Sequence, residues 1–276
     1  VSERPDRVRV TLGQLDVGRD RAANLEAACE VVRAAGEDGA RLAVLPEYAS
    51  CYDHRGVGVE HAEPLDGPFL TALRESAAQH GVAVVVGTTV PTPEGEPHGP
   101  RAQNVVVVLG PDGGLLGQYA KVHLYDAFGA RESGRLRAGD PAAPPLVVDV
   151  AGLRVGVLTC YDLRFPESAR RLAVAGAELL AVPAAWASGP GKAEQWRTLL
   201  AARAIENTAF VAAAGQCGRG RTGRSCLVGP DGQVRVEVSA EPGTVTGEID
   251  LAELAEARAR NPVLELRRFD VVPRKG

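Results

Sequence analysis

No apolar run in this sequence approaches the roughly 18 residues that a membrane-spanning helix needs. Residues 1–8 are charged rather than signal-like, so no secretory leader is expected there. Charge of one sign is also lacking in excess. Lys and Arg number 31 against 35 Asp and Glu, which gives a formal net charge of -4 and a pI near 5.8. Without a basic stripe, neither nucleic acid nor an anionic membrane is an expected partner. Cysteine is sparse and odd in number, and the five fit neither a disulfide framework nor a paired zinc knuckle. Reduced thiols in the cytoplasm are the simpler expectation. His54, His61, His80, His98 and His123 show no H-E-x-x-H or other metal spacing, so no metal site is expected. Methionine is absent, and no long low-complexity linker splits the chain. What is present, 45% hydrophobic residues over 276 positions, is ample for a large core, and one domain is expected over 1–276.

Strand-like and helix-like segments alternate. Val8, Val10 and Leu12 alternate as in a strand over 7–15. Over 20–35, Leu25, Cys29 and Val32 share a helical face that ends at Gly36 and Gly39. A short buried strand at 41–45 stops at Pro46. A helix near 69–80 and strands at 82–88, 104–109 and 115–120 follow, the last two joined by Gly110-Pro111-Asp112-Gly113. The second half replays this order, with strands at 153–158, 178–183 and 209–214 and helices at 166–176 and 192–207. Strands near 225–228 and 233–238 close it around Gly229-Pro230-Asp231-Gly232, the same four residues. Matching order around matching turns predicts an internal pseudo-duplication, an α/β fold with two facing sheets and helices outside. The stretches 91–100 and 138–145 are expected as surface loops, 251–260 as a helix, and 261–276 as an extended arm carrying Arg267 and Arg268.

Functional groups in α/β sheets collect at the carboxyl ends of strands. The strand at 41–45 runs into Glu47, and the strand at 153–158 runs into Thr159-Cys160-Tyr161-Asp162. A thiol attacks only as thiolate, so it needs a base and benefits from a nearby cation. Glu47 supplies a base, Lys121 at the end of the 115–120 strand supplies a cation, and His123 is a competing base that is expected instead as a structural hydrogen-bonding residue near the site. Each has an ordinary alternative: a buried filler cysteine, a surface glutamate, a solvated lysine. The polar run Tyr161, Asp162, Arg164, Glu167 directly after an apolar strand sets Cys160 apart. Pro166 marks a helix start just beyond it, whose free N–H groups and dipole suit an oxyanion.

The motifs Leu45-Pro46-Glu47-Tyr48, Lys121-Val122-His123-Leu124-Tyr125-Asp126, Thr159-Cys160-Tyr161-Asp162-Leu163-Arg164-Phe165-Pro166-Glu167 and Arg203-Ala204-Ile205-Glu206-Asn207 stand in this order. Together they resemble the nitrilase (carbon–nitrogen hydrolase) superfamily along nearly the whole chain. The resemblance implies a four-layer αββα sandwich and a Glu47, Lys121, Cys160 triad. It also implies a second glutamate, Glu132 in Arg131-Glu132-Ser133, which would orient Lys121. Lys121 and the Tyr161 backbone N–H would hold the oxyanion of a thioester mechanism that releases ammonia and needs no cofactor. The Cys-Tyr-Asp-Leu-Arg-Phe-Pro-Glu run and Gln216-Cys217-Gly218-Arg219 look like the Nit-type amidases, a group that includes omega-amidase and deaminated-glutathione amidase. Their substrates are small amides bearing a carboxylate, for which Arg164 is the candidate partner. An ion pair of Arg164 with Glu167 or Asp162 is the competing assignment. Gly223-Arg224-Ser225 departs from the group's usual Gly-His-Ser, and the loop between Lys121 and Glu132 is short, which leaves the substrate open.

Tyr48 and Trp186 follow strand ends and are expected in the pocket, whereas Trp196 is expected in the core or an interface. Gly218-Arg219-Gly220-Arg221-Thr222-Gly223 fits G-x-G-x-x-G, but a strand follows instead of a helix, so a mobile basic loop is expected rather than a nucleotide site. Cys29, Cys51, Cys217 and Cys226 are expected as unpaired fillers, with Cys51 close in sequence to Glu47. An N-carbamoyl amidohydrolase with the same triad is the alternative activity, and a non-enzymatic interaction protein a third. The resemblance also implies a homodimer through the helices at 166–176 and 192–207, with the C-terminal arm crossing over.

Overall fold

The computed structural model describes residues 4–92 and 101–274, and twelve strands and five α-helices form among them. The first half holds β1 (Arg7–Gln14), α1 (Arg21–Glu37), β2 (Leu42–Val44), α2 (Pro68–His80), β3 (Ala83–Pro91), β4 (Ala102–Leu109) and β5 (Leu115–Ala120). The second holds β6 (Val147–Val150), β7 (Leu153–Val157), α3 (Pro166–Val174), β8 (Leu179–Ala184), α4 (Lys192–Asn207), β9 (Phe210–Gly215), β10 (Cys226–Val228) and β11 (Val234–Glu237). The chain then adds β12 (Gly243–Asp250) and α5 (Leu251–Arg260).

Helix ends follow local chemistry. The Asp20 side chain caps α1 by accepting from the Ala22 and Ala23 N–H groups, and Asp250 does the same for α5. Pro68 and Pro166 open α2 and α3, where a missing N–H costs nothing.

The strands pair in two sheets, in the orders β12-β1-β2-β3-β4-β5 and β11-β10-β9-β8-β7-β6. In the first, β1, β2 and β3 are parallel, and β4, β5 and β12 attach antiparallel. In the second, β7, β8 and β9 are parallel, and β10, β11 and β6 attach antiparallel. The two sheets therefore repeat each other strand for strand, and the expected duplication is present. Side-chain alternation sorts each strand between two cores. Val8, Val10, Leu12, Leu42, Val44, Val85 and Val106 meet Val155, Val157, Leu179, Phe210 and Leu227 between the sheets. Their neighbours face outward: Ala43, Val84 and Val105 pack under α1 and α2, and Leu180, Val182 and Val211 pack under α3 and α4. The result is the αββα layering.

Several expectations shift. The strands β6 and β12 were not anticipated; β12 pairs with β1 over all eight residues of each. The buried stripe of α1 is Ala28, Val31, Val32 and Ala35 with Asn24, and Leu25 and Cys29 flank it. The helix expected at 166–176 is preceded by a separate 3-10 turn at Cys160–Arg164. Of the loop expected at 91–100, residues 93–100 lie outside the described residues, as does His98. The arm beyond α5 is irregular over 261–274, and residues 275–276 lie outside the description. No helix among the described residues is long and apolar enough to cross a membrane.

Candidate active site

One cavity of about 480 Å³ opens where the carboxyl ends of both parallel cores meet. Glu47 and Tyr48 enter it just past β2, Lys121 past β5, Cys160 and Tyr161 past β7, and Ala185 and Trp186 past β8. Eight of the residues singled out in the sequence line this cavity: Glu47, Tyr48, Lys121, Glu132, Cys160, Tyr161, Arg164 and Trp186. The duplication does not contribute equivalent positions. Glu47 ends the second parallel strand of its half, whereas Cys160 ends the first of the other.

Glu47 and Lys121 are each 1% exposed, so neither behaves as the solvated charge it would be on a surface. Lys121 Nζ donates to Glu47 Oε1 at 2.9 Å and to Glu132 Oε2 at 3.0 Å. Burial alone would lower the Lys121 pKa, but the Glu132 and Glu47 carboxylates outweigh it and hold the ammonium well above its usual range. The Glu47 carboxylate is fully engaged: Asn104 Nδ2 donates to Oε1 at 2.6 Å and the Ala185 N–H to Oε2 at 2.8 Å. Gln216 Nε2 donates to the Glu47 carbonyl at 2.7 Å, fixing the backbone as well. Glu132 accepts from Tyr48 Oη as well as Lys121, and from the Tyr125 N–H at 2.5 Å. That last bond closes the short loop between Lys121 and Glu132.

Cys160 has φ of 46°, a left-handed conformation costly for any residue with a Cβ, and Tyr48 beside Glu47 has φ of 58°. Such a bend turns the Cys160 side chain out of the strand direction and into the cavity, the geometry of a nucleophile elbow. The buried carboxylate of Asp162 secures the bend. It accepts from the Thr159 N–H at 3.1 Å, Tyr119 Oη at 2.8 Å and the His123 N–H at 3.1 Å. Burial pushes the Cys160 thiol well above its ordinary pKa. The neighbouring Glu47 carboxylate raises it further, and Lys121 opposes both. Two carboxylates against one ammonium leave the cluster negative before any thiolate forms, so the resting sulfur keeps its proton beside a group able to take it.

His123 does not line this cavity. Its Nδ1 lies 2.7 Å from Asp162 Oδ1 and its ring stacks on Phe165 at 3.7 Å, a structural role rather than a base. Cys51 also stays outside, and all five cysteines are unpaired. Arg164 makes no ion pair among the described residues. Its Nη2 donates to Gln195 Oε1 at 2.7 Å, its guanidinium stacks 4.7 Å from the Trp186 ring, and its buried Nε has no partner. Trp186 is thus a platform, held by its own Nε1 donating to the Lys192 carbonyl at 3.0 Å. Trp196 is buried core, 5.2 Å from the Trp186 ring.

The Gly218–Gly223 segment is tied to the chain after β8. Ala187 and Arg221 form a β-bridge, and the Thr222 N–H donates to the Trp186 carbonyl at 3.0 Å, which brings Arg221 into the cavity wall. Sequence reasoning missed Asn104, Lys192, Tyr52 and Arg221 as cavity or carboxylate partners. Asn104 had one signal, its place in the amide pair Gln103-Asn104 directly ahead of Val105-Val106-Val107-Val108.

Comparison with known proteins places this arrangement. The chain matches the carbon–nitrogen hydrolase family over residues 9–259. It is 39% identical to the deaminated glutathione amidase of Escherichia coli O157:H7, over 94% of this chain and 97% of that one. It is 32% identical to the omega-amidase of Homo sapiens, over 95% and 96%. Among solved structures it resembles the amidase from Nesterenkonia sp. AN1, with a TM-score of 0.78, 30% identity and coverage of 97% and 96%. A mutant of that amidase shows covalent addition of the acetamide moiety of fluoroacetamide at the active site cysteine.

Proposed function

This chain belongs to the carbon–nitrogen hydrolase family, and from that premise we propose that it hydrolyses small amides whose acyl group bears a carboxylate, through a thioester on Cys160. One observation carries the reading: a thiol, a buried carboxylate and a buried ammonium from three strand ends converge on one cavity. Amidase activity also accords with the names of the relatives.

In the proposed reaction, Glu47 takes the Cys160 proton as sulfur bonds to the amide carbon. The carbonyl oxygen becomes an oxyanion, held by the Lys121 ammonium and the Tyr161 N–H. The C–N bond then breaks, its electron pair stays on nitrogen, and Glu47 returns the proton to it. A primary amide thus releases ammonia and leaves a thioester. Glu47 next deprotonates water, hydroxide adds to the thioester carbon, and sulfur leaves with the proton, regenerating thiol and free acid. Glu132 keeps Lys121 charged and aimed. Removing one such oxyanion donor costs about 3–4 kcal/mol of barrier.

The acyl carboxylate is assigned to Arg164, with Lys192 beside it. Burial lowers the Lys192 pKa and the Arg164 charge lowers it further, a repulsion that an anion between them relieves. A panel of primary amides of dicarboxylic half-acids tests the reading by released ammonia and by the mass of an acyl adduct on Cys160. Cys160→Ala should abolish both; activity surviving in that variant would remove the triad assignment. Two copies are proposed to pair through α3 and α4, whose Val174 and Ile205 side chains stand 48% and 49% exposed. Light scattering that returns a monomer at micromolar concentration would refute the pairing.

A further inference from the structure

We infer that Asn104 is a positioning residue for the base: with Lys121 it fills Oε1 of Glu47, so that the Cys160 proton is taken and returned at Oε2 alone. The inference rests on the reading of Glu47 as the base.

β4 turns Ala102, Asn104, Val106 and Val108 to one side, and Val106 and Val108 lie in the core between the sheets. Asn104 interrupts that apolar row with an amide that is 1% exposed. Its Nδ2 donates to Glu47 Oε1 at 2.6 Å, and its Oδ1 is buried without a partner. A carboxylate only accepts, so the NH2 end faces Glu47 and the carbonyl end is left over. An orphaned buried acceptor is costly, and a leucine of similar size would carry none. The contact with Glu47 is what offsets that cost. The same residue also holds the cation, since the Asn104 carbonyl accepts from the Lys121 N–H at 2.9 Å. One position on β4 thus sets the base and the ammonium against each other.

Each carboxylate oxygen offers about two lone pairs. On Oε1 both are taken, by Asn104 Nδ2 and by Lys121 Nζ at 2.9 Å. On Oε2 one is taken, by the Ala185 N–H at 2.8 Å, and one is open. A proton arriving at Glu47 therefore has room only at Oε2. Without the amide, the carboxylate loses a charge-assisted bond and Oε1 regains a free lone pair. The proton can then settle on the oxygen that Lys121 holds, away from its route. The balance of the proposed steps is unchanged: the proton moves from sulfur to Oε2, and from Oε2 to the departing nitrogen. The charged and titratable groups around the amide are Glu47 beyond β2 and Lys121 beyond β5, with Glu132 and Tyr48 behind Lys121 and Cys160 in the same cavity. Its neighbour on β3 is the uncharged Thr89.

Asn104→Asp and Asn104→Leu form the test. A protonated carboxyl at position 104 donates to Oε1 as the amide does, whereas an ionised one repels it. Lys121 favours the negative charge of that pair on Glu47, so at low pH the shared proton sits on residue 104. The kcat/KM of Asn104→Asp should lie within roughly threefold of wild type at about pH 5 and fall roughly ten- to a hundredfold behind it by about pH 8. Asn104→Leu should trail wild type by that larger factor at both pH values, in kcat rather than KM. Alkylation of Cys160 by iodoacetamide needs the same deprotonation but no hydrolysis, and its rate should follow the same pattern. An amide with a merely structural role would slow Asn104→Asp by one factor at both pH values. That result, or wild-type rates in Asn104→Leu, overturns the inference. If Asn104→Leu fails to fold by circular dichroism, the ratio of Asn104→Asp to wild type across pH decides alone. If the wild type cleaves no amide, the parent reading falls, and the alkylation ratios still decide this one.

Discussion

Glu47 shows how much at the residue scale was readable and how much was not. Its place after an apolar strand and before Tyr48 marked it, as did the motifs around Lys121 and Cys160. Its holding groups were not readable. Asn104 lies 57 positions away, and the Ala185 N–H carries no side-chain signature at all. Arg221 was set aside because its glycine-rich surroundings suggested freedom, while its anchoring depends on a bridge to Ala187 that no local pattern announces. The left-handed φ of Cys160 was equally hidden, since no glycine stands there to advertise it. Cys160 also gives a pH prediction. Its thiol sits above the ordinary value of about 8.5. Below that value the sulfur is protonated both folded and unfolded; as pH rises past it, the unfolded chain ionises first, and folding stability is lost. The thiolate ultraviolet absorbance of wild type minus Cys160→Ser should therefore rise only above about pH 8.5. A step completed near neutrality would contradict the electrostatics of the cluster.

Among elements, the βαβ cores were legible because their strands are buried on both faces and read as apolar runs, such as Val84-Val85-Val86 and Leu179-Leu180-Ala181-Val182. The edge strands were not. Thr244, Thr246 and Glu248 alternate with Val245, Gly247 and Ile249 in β12, a half-polar pattern interrupted by a glycine. β6 is only four residues long and follows a proline-rich loop. The close approach of β3 to the turn after β2 makes a sharper prediction. A Cβ at Gly87 would lie 2.5 Å from Glu47 Cα and 3.0 Å from the Pro46 carbonyl oxygen, both backbone atoms that cannot swing aside. Gly87→Ala should cost about 1–3 kcal/mol of stability. It should lower kcat by roughly a hundredfold, because a displacement near 1 Å at Glu47 spoils its alignment. Urea unfolding and steady-state kinetics on one preparation check both. Wild-type kcat in this variant would show that Glu47 tolerates a shifted backbone.

For the whole molecule, the repeated order of elements and the repeated Gly-Pro-Asp-Gly turns already implied two facing sheets. Which strand ends would meet was not implied, because that depends on how the halves dock. Docking is driven by the inter-sheet core, where Phe210 is fully buried beside residues of both sheets. Phe210→Ala should lower unfolding free energy by about 3–5 kcal/mol, read from urea transitions. A loss under about 1 kcal/mol would mean that this core repacks freely. The same docking has a consequence for the life of the chain. The proposed base and cation, Glu47 and Lys121, belong to the half made first on the ribosome, and Cys160 to the half made second. A nascent chain stalled midway holds Glu47 without Cys160. A fragment lacking its beginning holds Cys160 without Glu47. Neither can pass a proton from sulfur to carboxylate, so the relay is held under joint custody and released only to a finished molecule.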